Sequence, residues 1–149
     1  MGTYLSTPVT EKETESGNGQ NKSASVSYGV VDMQGWRKSM EDAYLIQTNV
    51  PAPTKSSDTH AMVFGIFDGH GGPEVARFCQ LYFIDILIHQ EGWNNDKNDT
   101  GNALIGCFHG LDTLLADPRH RYVGIAGSLG EEHVCLNLFL LNFFVVEKK

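Results

Sequence analysis

The chain has 149 residues, 41% of them hydrophobic, and carries 18 acidic against 11 basic side chains, a formal net charge of -7. That length suits one domain, and the acidic balance excludes a nucleic-acid surface, because phosphate backbones are held by clustered Lys and Arg. Three widely spaced cysteines, Cys79, Cys107 and Cys135, form no Cys-x-x-Cys pair; this excludes a disulfide framework or zinc ribbon and reads as reduced, buried thiols of an intracellular protein.

In chain order, Met1 to Gln20 lacks the apolar core of a secretory signal. Met1-Gly2-Thr3-Tyr4-Leu5-Ser6 fits the N-myristoylation pattern at Gly2. One acyl chain without a polybasic patch supports only weak, reversible membrane contact. The expected compartment is the cytoplasm, with a peripheral membrane fraction through Gly2, and the nucleus stays open. Ser6 to Ser25 is polar and reads as part of a flexible leader, residues 1–25.

From Val26 the pattern changes. Val26 to Val31 and Ala43 to Ile46 are β-branched and aromatic runs joined by a polar connector, which predicts two strands. Pro51 to Thr59 has loop chemistry. Ala61 to Phe67 is a continuous apolar run, expected as a strand buried on both faces. Pro73 opens a helix of roughly four turns, with Val75, Phe78, Cys79, Tyr82, Phe83, Ile86 and Leu87 on one face. Leu104, Cys107, Phe108, Leu111, Leu114 and Leu115 predict a second helix, with Asn102 as its cap and Asp117-Pro118 as its stop. Val134 to Val146 is an apolar run of thirteen residues, shorter than the roughly 20 a membrane span needs. It reads as a buried strand or helix, or as a tail outside the fold; a terminal anchor is the third reading.

The chemistry concentrates in two segments. Asp68-Gly69-His70-Gly71-Gly72 follows the apolar strand, and Arg37, Glu41 and Asp42 lie in the connector upstream. Carboxylates suit hard divalent cations, Gly69 can turn its carbonyl toward the same site, the Arg37 fork matches a phosphate, and His70 can donate a proton. Together these groups point to hydrolysis of a phosphate ester. Taken apart, Arg37, Glu41 and Asp42 also read as a surface ion-pair cluster. Trp36 reads as a packing anchor rather than a substrate platform. His60, His89, His109, His120 and His133 lack metal-ligand spacing.

Tyr28-Gly29, then Met33-Gln34-Gly35-Trp36-Arg37-Lys38-Ser39-Met40-Glu41-Asp42-Ala43, then Phe67-Asp68-Gly69-His70-Gly71-Gly72, resemble in order and spacing the first two motifs of the type 2C metal-dependent Ser/Thr protein phosphatases, the PPM family. The resemblance runs to about Arg121. It implies an α+β fold, a partial α/β/β/α sandwich of antiparallel sheets flanked by helices, truncated, with 26–121 as the N-terminal part of the phosphatase domain and 122–149 as a divergent apolar tail. It also implies hydrolysis of phosphoserine and phosphothreonine on protein substrates by a metal-activated water, with two Mn²⁺ or Mg²⁺ ions per complete site. In that frame Asp68 bridges the metals, Gly69 ligates through its carbonyl, Glu41 holds the second metal and Asp42 supports the site through waters. Arg37 binds phosphate and His70 is the general acid.

The family's later Gly-Asp-Ser-Arg, Asp-Gly-x-Trp and Asp-Asn motifs are absent from this sequence. Asp96, Asp99, Asp112 and Asp117 lack the right neighbours, so one metal is expected to lose most of its protein ligands. The alternative function is therefore an inactive fragment that acts as a binding or decoy module.

Overall fold

The computed structural model describes residues 4–21, 24–51, 60–69, 71–94, 99–120 and the backbone of 144–146. Among the described residues the strands and α-helices follow in chain order as β1 (Glu13–Gln20), β2 (Ser25–Asp32), β3 (Ala43–Pro51), β4 (His60–Phe67), α1 (Glu74–Leu87), α2 (Glu91–Asn94), α3 (Thr100–Leu115) and β5 (Phe144–Val146), with a 3-10 turn at Pro118–His120 after α3. β1 and β2 form an antiparallel hairpin, and β3, β4 and β5 form an antiparallel sheet with β4 in the centre. The α+β expectation holds, with the hairpin on one face of the sheet and the helices on the other.

The alternation of β4 explains the layering, since successive side chains of a strand point to opposite faces. Phe64 meets Tyr28 of the hairpin at 5.6 Å between ring centroids, while Phe67 meets Phe83 of α1 at 5.7 Å. Ala61, Val63 and Phe67 join the core beneath α1 and α3, and Met62 is buried on the hairpin face, but Ile66 on that face is 39% exposed, so burial on both faces covers only part of the apolar run. In β3, Ala43 and Leu45 face that core, and strict alternation would bring Gln47 and then Asn49 inward. A register shift between Gln47 and Val50 delivers Val50 instead. α3 packs on α1 through Phe108 against Phe83, 5.7 Å apart. Trp93 of α2 is buried and its indole N–H donates to Pro51 O at 3.0 Å, tying the short helix to the end of β3.

Two expectations need correction. The leader is not structureless: Glu13 to Gln20 pairs along its whole length with β2, and Val9 and Gly35 exchange backbone hydrogen bonds of 2.8 and 3.0 Å. A polar strand escapes compositional reading because its stability comes from its partner. Gly19, for example, is buried where an added Cβ would lie 2.6 Å from Met62 Sδ, so the missing side chain lets the hairpin lie close on the sheet. The two expected strands are present as β2 and β3, and they lie in different sheets. α3 is capped by Asp99 rather than Asn102, because the Asp99 carboxylate accepts from the Asn102 amide at 3.2 Å.

Most of the tail and loop residues 52–59 lie outside the described residues. Phe144–Val146 pairs with β4 as a strand. No helix among the described residues is long and apolar enough to cross a membrane.

Cys79 and Cys107 are buried as free thiols, and Cys107 Sγ lies 3.4 Å from Phe83 O. Burial, reinforced by the Asp112 charge for Cys79 and by Cys79 for Cys107, pushes both up to about 12. In the unfolded chain they ionise near pH 8.5. The thiols therefore contribute stability that is complete below that value and is lost as pH rises toward 12. The unfolding free energy from urea titration is expected to fall through this window, by on the order of 1.4 kcal/mol per pH unit for each thiol, and the fall should shrink in Cys79→Val and Cys107→Val. Site-resolved iodoacetamide labelling at pH 8 should modify neither residue until urea is added.

Candidate metal and phosphate site

The last rung of the β3/β4 ladder pairs Ala43 with Phe67. Asp42 and Asp68 are the next residue on each strand, so antiparallel register alone brings two carboxylates together that stand 26 positions apart in sequence. The connector closes over them. Gly35 takes φ 66°, Gln34 Nε2 donates to Arg37 O at 2.9 Å, and Ser39 Oγ donates to Glu41 Oε1 at 3.1 Å. Beyond Gly69, Gly71 and Gly72 adopt φ of 83° and 146°, values that favour glycine, as the chain turns into α1.

These segments enclose a cleft of about 160 Å³ to which Arg37, Glu41, Asp42, Asp68 and Gly69 all contribute. Met33, Gln34, Ser39 and Met40 line it too. The sequence reading passed over these four, although their place between Tyr28 and Ala43 was signal enough. Gly69 sits against backbone: an added Cβ would collide with Glu41 O and come within 2.8 Å of Gly72 O. Trp36 corrects its expectation, being 54% exposed beside Arg37 rather than packed.

Asp42 is exposed as a residue and lines the cleft. Partial burial holds its carboxyl above the usual carboxylate range, and the charge and hydrogen-bonding reach of Asp68 act in the same direction. The Gly69 amide and the Arg37 charge pull the other way. Among the described residues no ion pair within 4.0 Å joins Arg37 to Glu41 or Asp42, although the Arg37 charge reaches the Asp42 carboxyl.

Carboxylate and carbonyl oxygens fit a hard divalent cation in kind, and the Asp42–Asp68 contact is one that positive charge would relieve. Convergence is less complete. Among the described residues no three His, Cys, Asp or Glu side chains come together closely enough to hold a metal ion. His70 and Gly2 lie outside the described residues. Two aspartates that the sequence reading set aside have structural duties: Asp99 caps α3, and Asp117 pairs with Arg119 Nη2 at 2.6 Å.

The sequence model of protein phosphatase 2C matches residues 26–121. Protein phosphatase 2C homolog 2 of Saccharomyces cerevisiae is 41% identical over 119 residues, 79% of this chain and 24% of that protein. Probable protein phosphatase 2C 3 of Paramecium tetraurelia is 41% identical over 118 residues, 79% of this chain and 35% of that protein. Probable protein phosphatase 2C 58 of Oryza sativa subsp. japonica is 37% identical over 119 residues, 80% of this chain and 29% of that protein. The chain thus spans about a quarter to about a third of the length of these relatives.

Proposed function

The chain belongs to the protein phosphatase 2C family, and on that premise we propose that it contributes part of a site that hydrolyses phosphoserine and phosphothreonine on proteins with Mn²⁺ or Mg²⁺. The observation that supports this reading best is the β3/β4 register, which sets Asp42 beside Asp68 in a cleft shared with Arg37 and Glu41. Asp68, Glu41 and the Gly69 carbonyl are the groups that would hold metal, with Asp42 supporting them. Bound divalent ions supply charge neutralisation at phosphate and activation of water. Arg37 offers planar, paired N–H donors to phosphate oxygens. His70, which follows Gly69 in the sequence, is assigned proton donation to the leaving oxygen.

The test is phosphate release from a phosphothreonine peptide by this chain with excess Mn²⁺. Release should cease with EDTA, and Arg37→Ala should lower kcat/KM at least roughly tenfold, as loss of a charge-assisted contact does. A folded chain that releases no phosphate overturns the catalytic reading. A second reading would then stand, an inactive binding or decoy module, which the incomplete convergence of ligating side chains favours. We assign the protein to the cytoplasm with reversible membrane contact through a myristoylated Gly2; Gly2→Ala should abolish co-flotation with vesicles.

A further inference from the structure

A second groove, of about 650 Å³, runs between the hairpin and α1. Its floor is five consecutive residues of β3, Ala43 to Gln47; Glu11, Glu13, Glu15 and Asp32 stand on one side and Arg77, Gln80 and Leu81 on the other. Consecutive strand residues line a cavity together only when the strand's edge opens into it, since a face would present alternate residues. β3 is that edge: it pairs with β4 on one side and with no described strand on the other. Its hydrogen-bonding groups already draw an amide from outside the sheet, because Gln80 Nε2 of α1 donates to Tyr44 O. An exposed row of such groups is a template for an added strand.

The acidic side is electrostatically unbalanced. Glu13 lies directly opposite Asp32 across the hairpin, a placement of like charges that destabilises a strand pair. Neither has an ion-pair partner among the described residues. Glu15 accepts from the Tyr44 hydroxyl at 3.1 Å. That bond, partial desolvation and the Glu15, Asp32 and Glu13 charges together hold the Tyr44 hydroxyl above its usual range. A single metal ion is not the answer, because these carboxylates do not converge as a group of three or more. Glu13 and Glu15 are spaced by two strand residues, roughly 6.6–6.8 Å. Alternate side chains of a strand laid along β3 have that same spacing.

We propose that this groove binds an extended basic peptide segment, which adds a strand to the β3 edge and sets alternate Lys or Arg side chains against Glu13, Glu15 and Asp32. The groove shares Gln34, Met40 and Asp42 with the metal and phosphate cleft, so a bound segment leads toward Arg37 and Asp68. The binding does not depend on catalysis; a chain that hydrolyses nothing would still show it.

The probe is a fluorescein-labelled, unphosphorylated Arg-Thr-Arg-Thr-Arg-Thr-Arg peptide, followed by polarisation with the full chain and no metal. Saturable binding is expected, weakened by raised salt and about tenfold weaker in the Glu13→Gln/Asp32→Asn variant, the loss of two partly exposed ion pairs. That variant removes a repulsion and should fold at least as well, which circular dichroism checks; Glu15→Gln serves as a second variant if it does not. A peptide N-methylated at alternate amides should bind at least tenfold less tightly, because strand addition needs its N–H groups. Equal binding of a Glu-for-Arg peptide, equal binding of the N-methylated peptide, or unchanged affinity in the variants overturns the proposal. So does self-association of the chain that fills the edge and leaves no peptide binding.

Discussion

Asp68→Ala is expected to lower Mn²⁺-dependent phosphate release at least roughly a hundredfold while leaving the chain as stable as before, or slightly more so. The first figure follows from the scale of ligand-supporting groups, whose loss alone costs about 10–100-fold; a carboxylate assigned directly to metal costs more. The second follows from the contact between Asp68 and Asp42. Two carboxyls held side by side at the end of a β ladder repel; burial is the main cause that lifts the Asp42 carboxyl above its usual range, and the Asp68 charge adds to it. Removing Asp68 returns the Asp42 carboxyl toward its ordinary range, which a carboxylate-resolved NMR titration detects. Activity lost together with fold would make Asp68 a scaffold residue. Unchanged turnover would remove it from the chemistry.

The largest stability effect is expected at Phe83. It is fully buried and contacts both layers around it, Phe67 of β4 at 5.7 Å and Phe108 of α3 at 5.7 Å, while its carbonyl lies 3.4 Å from Cys107 Sγ. Phe83→Ala removes the ring from the junction of sheet and helices and should cost about 3–5 kcal/mol. Single domains are stable by only about 5–15 kcal/mol, so this change should leave a large unfolded fraction or an expanded state. Urea unfolding followed by circular dichroism measures it. Ile105→Ala, on the exposed side of α3, is the internal control and should stay within about 0.5 kcal/mol. Equal effects at both positions would show that the α1/α3 contact carries no special share of the core.

α1 and α3 were legible because a helix advertises itself locally: Phe78, Cys79, Phe83 and Leu87 recur on one face whatever lies elsewhere in the chain. The apolar run of β4 was legible for a similar reason. β1 was not, since Glu13 to Gln20 has strand geometry only through its rungs with β2 and the close approach at Gly19. α2 was missed because four residues hold no period, and its anchor, the Trp93 hydrogen bond to Pro51 O, spans distant sequence. Trp36 was misjudged because an aromatic side chain reads as core unless its neighbours are known.

From the sequence alone came the order of chemical groups, Arg37 then Glu41 and Asp42 then Asp68 and Gly69, and with it the family. Tertiary structure decided what those groups can do together. It set Asp42 against Asp68 through a ladder register, pressed Gly69 onto the Glu41 backbone, placed Arg37 in the same cleft, and turned a polar leader into a strand whose glutamates face an open sheet edge. The physical reason is range: motifs and helical periods are written within a few residues, whereas pairing, register and the charge balance of a groove depend on segments that meet only in the folded chain.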